Sequence, residues 1–352
     1  MGRKRQTIFF ENKPYISSAY SIGGKKEGDG PLKKWFDMCL DDDTFGEKTW
    51  EKAESKMLKT AMTEALRRGG RSVEEAGAML SGDLLNQLMS SSFMARDMHI
   101  PFLGMYGACS TMTESLILGS VLVDGRYSDD VVIGASSHYC TAERQFRMPL
   151  EHGNQRPPSA QWTATAAGAM LLSSCGRGEA AEAIDDGSYI ELRDVRVEAG
   201  TIGKVIDAGV KDANQMGSAM TPAAVDTLLN HMEDTGRDLD HYDLILTGDL
   251  GFIGKDIMRD LLEGAGLNKA DIETRYDDCG TMIYEPRQDV HSGGSGCGCS
   301  ASTFAGYVYK KMRRGELDKV LIMSTGALLS TISPFQGESI PGIAHAVSLV
   351  SE

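Results

Sequence analysis

Apolar residues along the chain occur either in short unbroken runs or at the spacing of one helix face. The segment 16–22 combines apolar residues with serines and is bounded by Gly23 and Gly24, which predicts a strand. From Thr49 to Arg68 the apolar positions recur at helical spacing, which predicts a helix that Gly69 ends. Further short apolar runs predict strands at residues 78–81, 101–105, 131–136 and 168–173. Strands that alternate with helices predict parallel α/β sheets covered on both faces.

The same order of elements occurs a second time further along the chain. The predicted helix that opens G-A-C-S at Gly107–Ser110 has a counterpart that opens C-G-C-S at Cys297–Ser300. Upstream, L-S-G-D-L at Leu80–Leu84 has a counterpart, L-T-G-D-L, at Leu246–Leu250. A repeat of this length predicts an internal duplication. A site at the junction would then draw residues from both halves.

The boundary between the two halves is predicted in the small, acidic and glycine-containing stretch 175–187. We therefore assign residues 1–178 to the first half and residues 179–352 to the second. In the second half, Thr221 followed by Pro222 predicts the start of a long helix, because this pair combines an N-cap with a first-turn proline.

Composition narrows the classes of protein that fit this pattern. The formal net charge of −14 argues against a nucleic-acid surface and against an anionic membrane face. The cysteines are scattered among apolar residues, which indicates a reducing compartment rather than a disulfide framework. The basic N-terminus is followed by an apolar run too short for a secretory signal, and no run is long enough to span a bilayer. We expect a soluble protein that meets a membrane only through a partner.

The duplication and the G-A-C-S helix resemble the thiolase and ketoacyl-synthase superfamily. The resemblance implies an α/β fold, a thiolase-like duplicated αβαβα five-layer sandwich, with Cys109 at the position of the superfamily's nucleophile. The amides of a helix N-terminus lower the pKa of a thiol, so we expect an activated Cys109. His291 opens the loop in which the superfamily has a histidine or asparagine before glycines, and Thr165 stands where many members have an aspartate. We expect Cys109 and His291 to converge at the junction.

Two of the superfamily's catalytic motifs are changed in this sequence. Condensing enzymes place a histidine or asparagine at the strand end that reads Thr247–Asp249 here. A carboxylate at Asp249 would destabilise both a thiolate and an enolate. The final loop, Ser324–Leu329, has one glycine where the superfamily is glycine-rich. We therefore predict no catalytic residue and no enzyme, and regard Cys109, His291 and Asp249 as remnants of a catalytic site.

A narrower resemblance extends over most of the chain. The runs that carry it are Gly104–Thr111, Arg144–Arg147, Gln155–Thr163, Thr247–Gly251 and Ser339–Gly342. On these runs the sequence is similar to the stage V sporulation protein AD family of endospore-forming Firmicutes. The resemblance implies a non-enzymatic protein that binds dipicolinic acid, either free or as its calcium chelate. It also implies membrane partners encoded in the same operon, and a place in the forespore or spore, soluble or peripheral at the inner membrane.

The predicted ligand site combines small residues, hydroxyls and a cation near the Cys109 helix. Small residues leave room for a flat ring, and a guanidinium from Arg144, Arg147 or Arg156 would complement a dicarboxylate. The predicted ligand-binding residues are Cys109, Ser110, Thr165, Asp249, His291, Ser295, Gly326 and Arg144. Cys297 and Cys299 lack a second cysteine pair, so we interpret them as packing residues and predict no metal or cofactor.

Two other functions remain open from the sequence. The first is a cysteine-dependent acyltransferase or condensing enzyme that acts on acyl-CoA through Cys109 and His291. The second is a structural subunit with a vestigial pocket. The superfamily's dimers also imply a homodimer, and no nucleic-acid partner is expected.

Overall fold

We analysed a computed structural model of the chain, which describes residues 5–146, 156–177, 180–183 and 189–352. The predicted boundary between residues 178 and 179, and the side chain of Arg147, lie outside the described residues. The exact residue at which the first half ends and the second begins therefore stays a prediction.

The first half contains eight strands and four helices within the described residues. Thr49 caps the first helix as predicted, since its side chain accepts a hydrogen bond from the Lys52 amide at 3.3 Å. The elements are β1 (Thr7–Phe9), β2 (Tyr15–Gly23), β3 (Met38–Cys39), α1 (Trp50–Arg68), β4 (Ala78–Gly82), α2 (Met89–Met98), β5 (Phe102–Gly104), α3 (Thr111–Asp124), β6 (Asp130–Ser137), α4 (Tyr139–Phe146), β7 (Trp162–Thr163) and β8 (Ala166–Ser173).

The second half repeats the main elements of the first in the same order. A π-helical turn at Phe304–Val308 joins its last two helices into one continuous rod. The elements are β9 (Ala180–Ala183), β10 (Tyr189–Leu192), β11 (Val195–Thr201), α5 (Met216–Thr235), β12 (Leu244–Thr247), α6 (Gly251–Gly264), α7 (Lys269–Arg275), β13 (Tyr276–Asp278), α8 (Cys279–Met282), β14 (Gly294–Ser295), α9 (Cys297–Thr303), α10 (Tyr309–Arg313), β15 (Lys319–Ala327) and β16 (Gly342–Ser351).

The strand order shows the duplication directly. It reads β13-β12-β15-β16-β11 in the second half and β2-β8-β6-β4-β5 in the first, and β2 and β11 join the two at their ends. That junction consists of the pairs Ile16–Val195 and Tyr15–Arg196. In each half the three strands furthest from the junction run parallel, whereas the two nearest it are antiparallel to their neighbours. The sheets are therefore mixed and not wholly parallel as predicted.

The layers form the predicted αβαβα sandwich. Helix α1 packs on β2, β6 and β8 from outside, and α5 packs on β15 and β16 from the opposite side. Between the two sheets lie α3 and α9, which contact each other and strands of both halves. The fully buried Met112, Leu116 and Ala301 belong to these two central helices. The duplicated five-layer fold is thus confirmed, and it places the N-termini of α3 and α9 next to each other in the core.

Two local predictions need correction. Helix α5 begins at Met216, so Pro222 lies inside it, and the Thr221 hydroxyl donates to the Gly217 carbonyl at 2.7 Å instead of capping the helix. The extra first turn forms because Gly217 packs against the backbone of Leu250. Helix α4 was not predicted, since its segment reads as a polar loop. Across the described residues, no helix combines the length and the apolar character needed to cross a bilayer.

Candidate functional site

Cys109 lies in a tight turn just before the first turn of α3. Ala108 has φ +50°, a left-handed conformation that is uncommon for a residue with a side chain. Hydroxyls on both sides close the turn: Ser110 donates to the Gly107 carbonyl and Thr111 donates to the Ala108 carbonyl, each at 2.7 Å. The turn is therefore held by its own side chains, and Cys109 is 6% exposed.

Strand β15 presses directly on this turn. A side chain at Gly326 would meet the Gly107 carbonyl oxygen at 2.3 Å and the Ser110 amide nitrogen at 3.2 Å. A Cβ atom does not fit at the first of these distances, so glycine is needed here for close backbone approach. Gly326 therefore allows β15 of the second half to pack against the cysteine turn of the first.

Asp249, at the end of β12, occupies the other side of the thiol. Its carboxylate accepts hydrogen bonds from the Thr325 hydroxyl at 2.7 Å, the Gly296 amide at 2.9 Å and the Ser295 hydroxyl at 3.2 Å. The thiol of Cys109 also donates to it. The two halves of the duplication therefore meet in one hydrogen-bonded cluster.

The electrostatics of this cluster oppose an activated thiol. Burial raises the pKa of Cys109 well above its usual value, and the neighbouring Asp249 charge raises it further. The Gly296 amide acts in the opposite direction but does not outweigh them. Burial also raises the pKa of Asp249, despite its donors. The expectation that the helix N-terminus activates Cys109 is wrong, because burial and the adjacent carboxylate dominate over the helix amides.

A small cavity of about 40 Å³ opens above the thiol. Tyr106 lines it and is 46% exposed, so the cavity reaches the surface. Its lining is mostly apolar, with one carboxylate, Glu143, and hydroxyls from Thr163 and Ser295. Among the described residues of the lining there is no lysine, arginine or histidine. The lining residues are Leu84, Tyr106, Ala108, Cys109, Ala142, Glu143, Phe146, Thr163, Met216, Ser295, Ala327 and Leu329.

His291 does not converge with Cys109. It is exposed at the surface, where its Nδ1 atom lies 2.8 Å from the Pro157 carbonyl and its Nε2 atom lies 3.1 Å from Asp289 Oδ1. The residue is not part of the cavity lining. With φ +51°, His291 turns the chain before the buried glycines that follow. The expectation of a shared pocket is corrected here, since this turn directs the ring outward.

Two of the three candidate arginines, Arg144 and Arg156, lie within the described residues, and both are away from the cavity lining. Arg144 forms an ion pair with Glu51 and lies over the Trp50 ring. Arg156 donates to the Asp289 carbonyl at 2.8 Å. Neither guanidinium lines the Cys109 cavity. Arg144 points elsewhere because α4, which carries it, turns its apolar face toward the cavity.

Three of the predicted ligand residues lie behind the cavity wall. Ser110 and Gly326 shape the cysteine turn, as described above. Thr165 is buried, and its amide donates to the buried carboxylate of Glu27 at 3.0 Å. Of the eight residues predicted from the sequence, Cys109 and Ser295 line the cavity directly, and Asp249 contacts Cys109 from below.

Three of the lining residues that the sequence analysis missed come from α4. Ala142, Glu143 and Phe146 line the cavity from this one helix. The sequence contains one indication of this helix: Ala142 and Phe146 are apolar and four residues apart, so they share a helix face. The basic and proline-rich residues that follow obscured it. Cys297 and Cys299 are fully buried, as the packing interpretation requires, and the Cys297 thiol donates to the Ser136 carbonyl at 2.9 Å.

The duplicated sandwich with a cysteine turn at its junction defines a thiolase-like protein. Cerulenin-bound OleA from Xanthomonas campestris is similar in fold, with a TM-score of 0.59 and 12% identity over 99% of this chain and all of that one. The 3-oxoacyl-[acyl-carrier-protein] synthase III of Aquifex aeolicus matches with a TM-score of 0.55 and 12% identity over 96% of this chain and 99% of that one.

Sequence similarity identifies the family within this class. The family model of stage V sporulation protein AD matches residues 4–350. Stage V sporulation protein AD of Bacillus subtilis (strain 168) is 42% identical over 343 residues, which cover 97% of this chain and 96% of that protein. The chain belongs to the stage V sporulation protein AD family.

Proposed function

We propose that this protein is a non-catalytic binding protein of sporulation whose Cys109 cavity receives dipicolinate as its calcium chelate. The family resemblance implies the ligand, and the chemistry of the cavity supports its form. One observation carries the proposal: Glu143 lines the cavity and Asp249 lies beneath Cys109, whereas no basic side chain among the described residues lines it.

The charge around the cavity favours a chelate over the free dianion. A free dicarboxylate would add two negative charges beside the Glu143 and Asp249 carboxylates, which is unfavourable in a buried site. Calcium dipicolinate is neutral overall, and its cation still accepts further oxygen ligands. The carboxylate of Glu143 and the hydroxyls of Thr163 and Ser295 are the hard oxygen donors that Ca²⁺ prefers.

The carboxylate of Asp249 also argues against acyl transfer. Carbanion chemistry requires a thiolate, a second polar catalytic group and preformed oxyanion donors. The raised pKa of Cys109 keeps the thiol protonated near neutral pH. The donors nearest to it, the Gly296 amide and the Thr325 hydroxyl, are already bonded to Asp249. They are therefore engaged by a fixed internal anion.

The free volume requires the cavity to widen when it binds a ligand. About 40 Å³ holds very few water molecules and is smaller than a planar aromatic chelate. The side chains best placed to move are Tyr106, Phe146 and Leu329, which are only partly buried. We expect them to turn outward, while the hydrogen-bonded base formed by Cys109 and Asp249 stays in place.

Calorimetric titration with calcium dipicolinate tests this function, with dipicolinate plus a calcium chelator as the second arm. We expect the calcium form to bind more tightly. Cys109→Trp should abolish binding by filling the cavity, and Cys109→Ala should change it little because no covalent bond forms. Glu143→Gln should weaken the calcium form at least tenfold. His291→Ala is the matched control outside the cavity and should bind as wild type does.

Two results would contradict the proposal. Equal binding of the wild type and Cys109→Trp would move the ligand out of this cavity and favour the vestigial, purely structural role. Covalent acylation of Cys109 by acyl-CoA, with turnover lost in Cys109→Ala, would favour the acyltransferase alternative. Intact-mass measurement after incubation with acetyl-CoA detects such an adduct directly.

We further propose that the protein works at the spore inner membrane with the membrane proteins of its own operon, and that it forms a homodimer. The family resemblance supports the partners and the location. For the dimer, the supporting observation is an open sheet edge: β5 ends the strand order, and Leu103 on it is 46% exposed. Co-purification of the tagged protein with the co-expressed membrane proteins of its operon tests the proposed partnership. Failure of these membrane proteins to co-purify would contradict it.

A further inference from the structure

A second cavity, of about 160 Å³, lies at the opposite end of the central layer from Cys109. The rod formed by α9, the π turn and α10 begins at Cys297, beside Asp249, and ends at Arg313. At a rise of 1.5 Å per residue this rod separates the two sites by about 25 Å. The described residues of the second cavity that carry charge are Arg68, Arg177, Glu182, Lys310 and Arg313.

Arg313 is the buried member of this group. Its side chain is 5% exposed, and one of its guanidinium nitrogens donates to Asp194 Oδ1 at 2.8 Å. The other terminal nitrogen, Nη2, has no hydrogen-bond partner among the described residues. A buried donor left unsatisfied costs about 1–3 kcal/mol, more when it is charged. Because Arg313 also belongs to the cavity lining, an acceptor bound there would satisfy this donor after a small shift of the side chain.

Cations outnumber the carboxylates that they contact. Arg68 and Lys310 share a single partner, Asp37, at 2.7 Å and 2.8 Å. Glu182 is bound by Arg314 from outside the cavity, with 2.9 Å between Nη2 and Oε1.

With Arg177 in the lining and Arg313 bound to Asp194, the described residues leave two positive charges uncompensated. A local surplus of this sign is unexpected in a chain whose net charge is −14.

We propose that this basic cavity binds a phosphate group, either as inorganic phosphate or at the end of a small phosphate monoester. The charge of a phosphate near neutral pH matches the two uncompensated cations. Arginine forks present paired N–H donors at the spacing of phosphate oxygens, and Arg313, whose Nη2 has no partner among the described residues, belongs to the lining. The volume admits a phosphate and a few further atoms, but no large ligand.

The test is calorimetric titration of the full-length protein with inorganic phosphate in a chloride buffer at pH 7.5, with glycerol 3-phosphate as the second arm. Arg177→Gln removes an exposed cation of the lining, so it should fold normally and weaken phosphate binding at least tenfold. Arg313→Lys keeps the charge opposite Asp194 but removes the fork, and should also weaken binding. Arg67→Gln is the matched control, because Arg67 is exposed, does not line the cavity and pairs with Glu64.

The two arms distinguish the source of the group: tighter binding of phosphate itself indicates the free ion, and tighter binding of the ester indicates a monoester. Cys109→Trp should leave phosphate affinity unchanged, so the outcome is independent of the dipicolinate proposal. The proposal is overturned if phosphate binds the wild type no better than chloride does. It is also overturned if Arg67→Gln weakens binding as much as Arg177→Gln, since a diffuse charge effect would then explain the data.

Discussion

The carboxylate of Asp249 lies against the thiol of Cys109 and accepts a hydrogen bond from it. Each residue comes from a different half of the duplication, and each follows a β-strand of its own half: Cys109 follows β5 and Asp249 follows β12. The pair occupies the position at which a condensing enzyme needs a thiolate and a neutral or cationic partner. An acid in that position opposes ionisation of the thiol, which supports the proposed non-catalytic role.

The first prediction concerns the reactivity of this thiol. Because burial and Asp249 raise the pKa of Cys109, iodoacetamide should modify it far more slowly than the exposed Cys175 at pH 8. Asp249→Asn removes the neighbouring charge and should increase the Cys109 rate about tenfold, the change expected from one pKa unit. Peptide mass spectrometry over a time course measures both rates.

Ser295→Ala is the control for this prediction, since it removes a neutral donor to Asp249 and leaves the charge in place. Its rate should stay near that of the wild type. Rapid modification of wild-type Cys109 would contradict the protonated thiol and, with it, the argument against acyl transfer.

The second prediction concerns Glu27, a fully buried carboxyl next to Thr165. Burial raises the pKa of Glu27 to about 7, although the Tyr284 hydroxyl and the Thr165 amide both donate to it. The folded protein therefore holds a proton that the unfolded chain releases near pH 4.5. Stability from this group is fully present below pH 4.5 and is lost as the pH rises through about 7, by about 3 kcal/mol in total.

Glu27→Gln should remove this part of the pH dependence. Denaturant unfolding at pH 5, 6, 7 and 8, at constant ionic strength, measures the free energy of unfolding for each protein. The wild type should lose more stability between pH 5 and pH 8 than the variant does. Glu338→Gln, at an exposed position, is the control and should follow the wild type. Equal slopes for the wild type and Glu27→Gln would show that Glu27 titrates normally.

The third prediction concerns the close approach at Gly326. Gly326→Ala forces a methyl group against the Gly107 carbonyl, which cannot move without opening the cysteine turn. We expect a loss of about 1–3 kcal/mol in the free energy of unfolding. Gly264→Ala is the control, because a Cβ there meets nothing within 4 Å, and its stability should be unchanged or slightly higher. Equal stabilities of the two variants would contradict the tight packing of β15 on the turn.

The fourth prediction tests the proposed homodimer. If β5 forms the dimer edge, the wild type should elute as a dimer at micromolar concentration, and Leu103→Lys should shift it to the monomer. Leu261→Lys is the matched control, since Leu261 is 43% exposed but lies on α6 and not on the sheet edge. Light scattering after gel filtration measures the mass. A monomeric wild type, or dimer loss in both variants, would contradict the assignment.

The local sequence pattern predicted a duplicated α/β unit, and the resemblance to the thiolase superfamily implied how the two units pack. Apolar runs, helix caps and the repeated L-S/T-G-D-L and cysteine-helix motifs predicted the order of elements and the duplication. These signals are local, so they are present in the sequence whatever the tertiary contacts are. The N-cap at Thr49 and the stop at Gly69 were correct for this reason. Cys109, Asp249 and Ser295 could be selected because the repeat aligns their strand and helix ends.

The composition of the cavity was decided only by the tertiary structure. His291 and Arg144 had suitable chemistry and suitable positions in the sequence, but a single backbone turn and the orientation of α4 direct them away from Cys109. Glu143 lines the cavity because α4 packs over it, which the polar sequence around it conceals. For the pKa of Cys109, the helix N-terminus predicted a lower value and Asp249 predicted a higher one, and burial in the packed structure decided the direction. A helix N-terminus is visible in a sequence, whereas burial and the distance to a carboxylate from the other half exist only after the two halves have packed together.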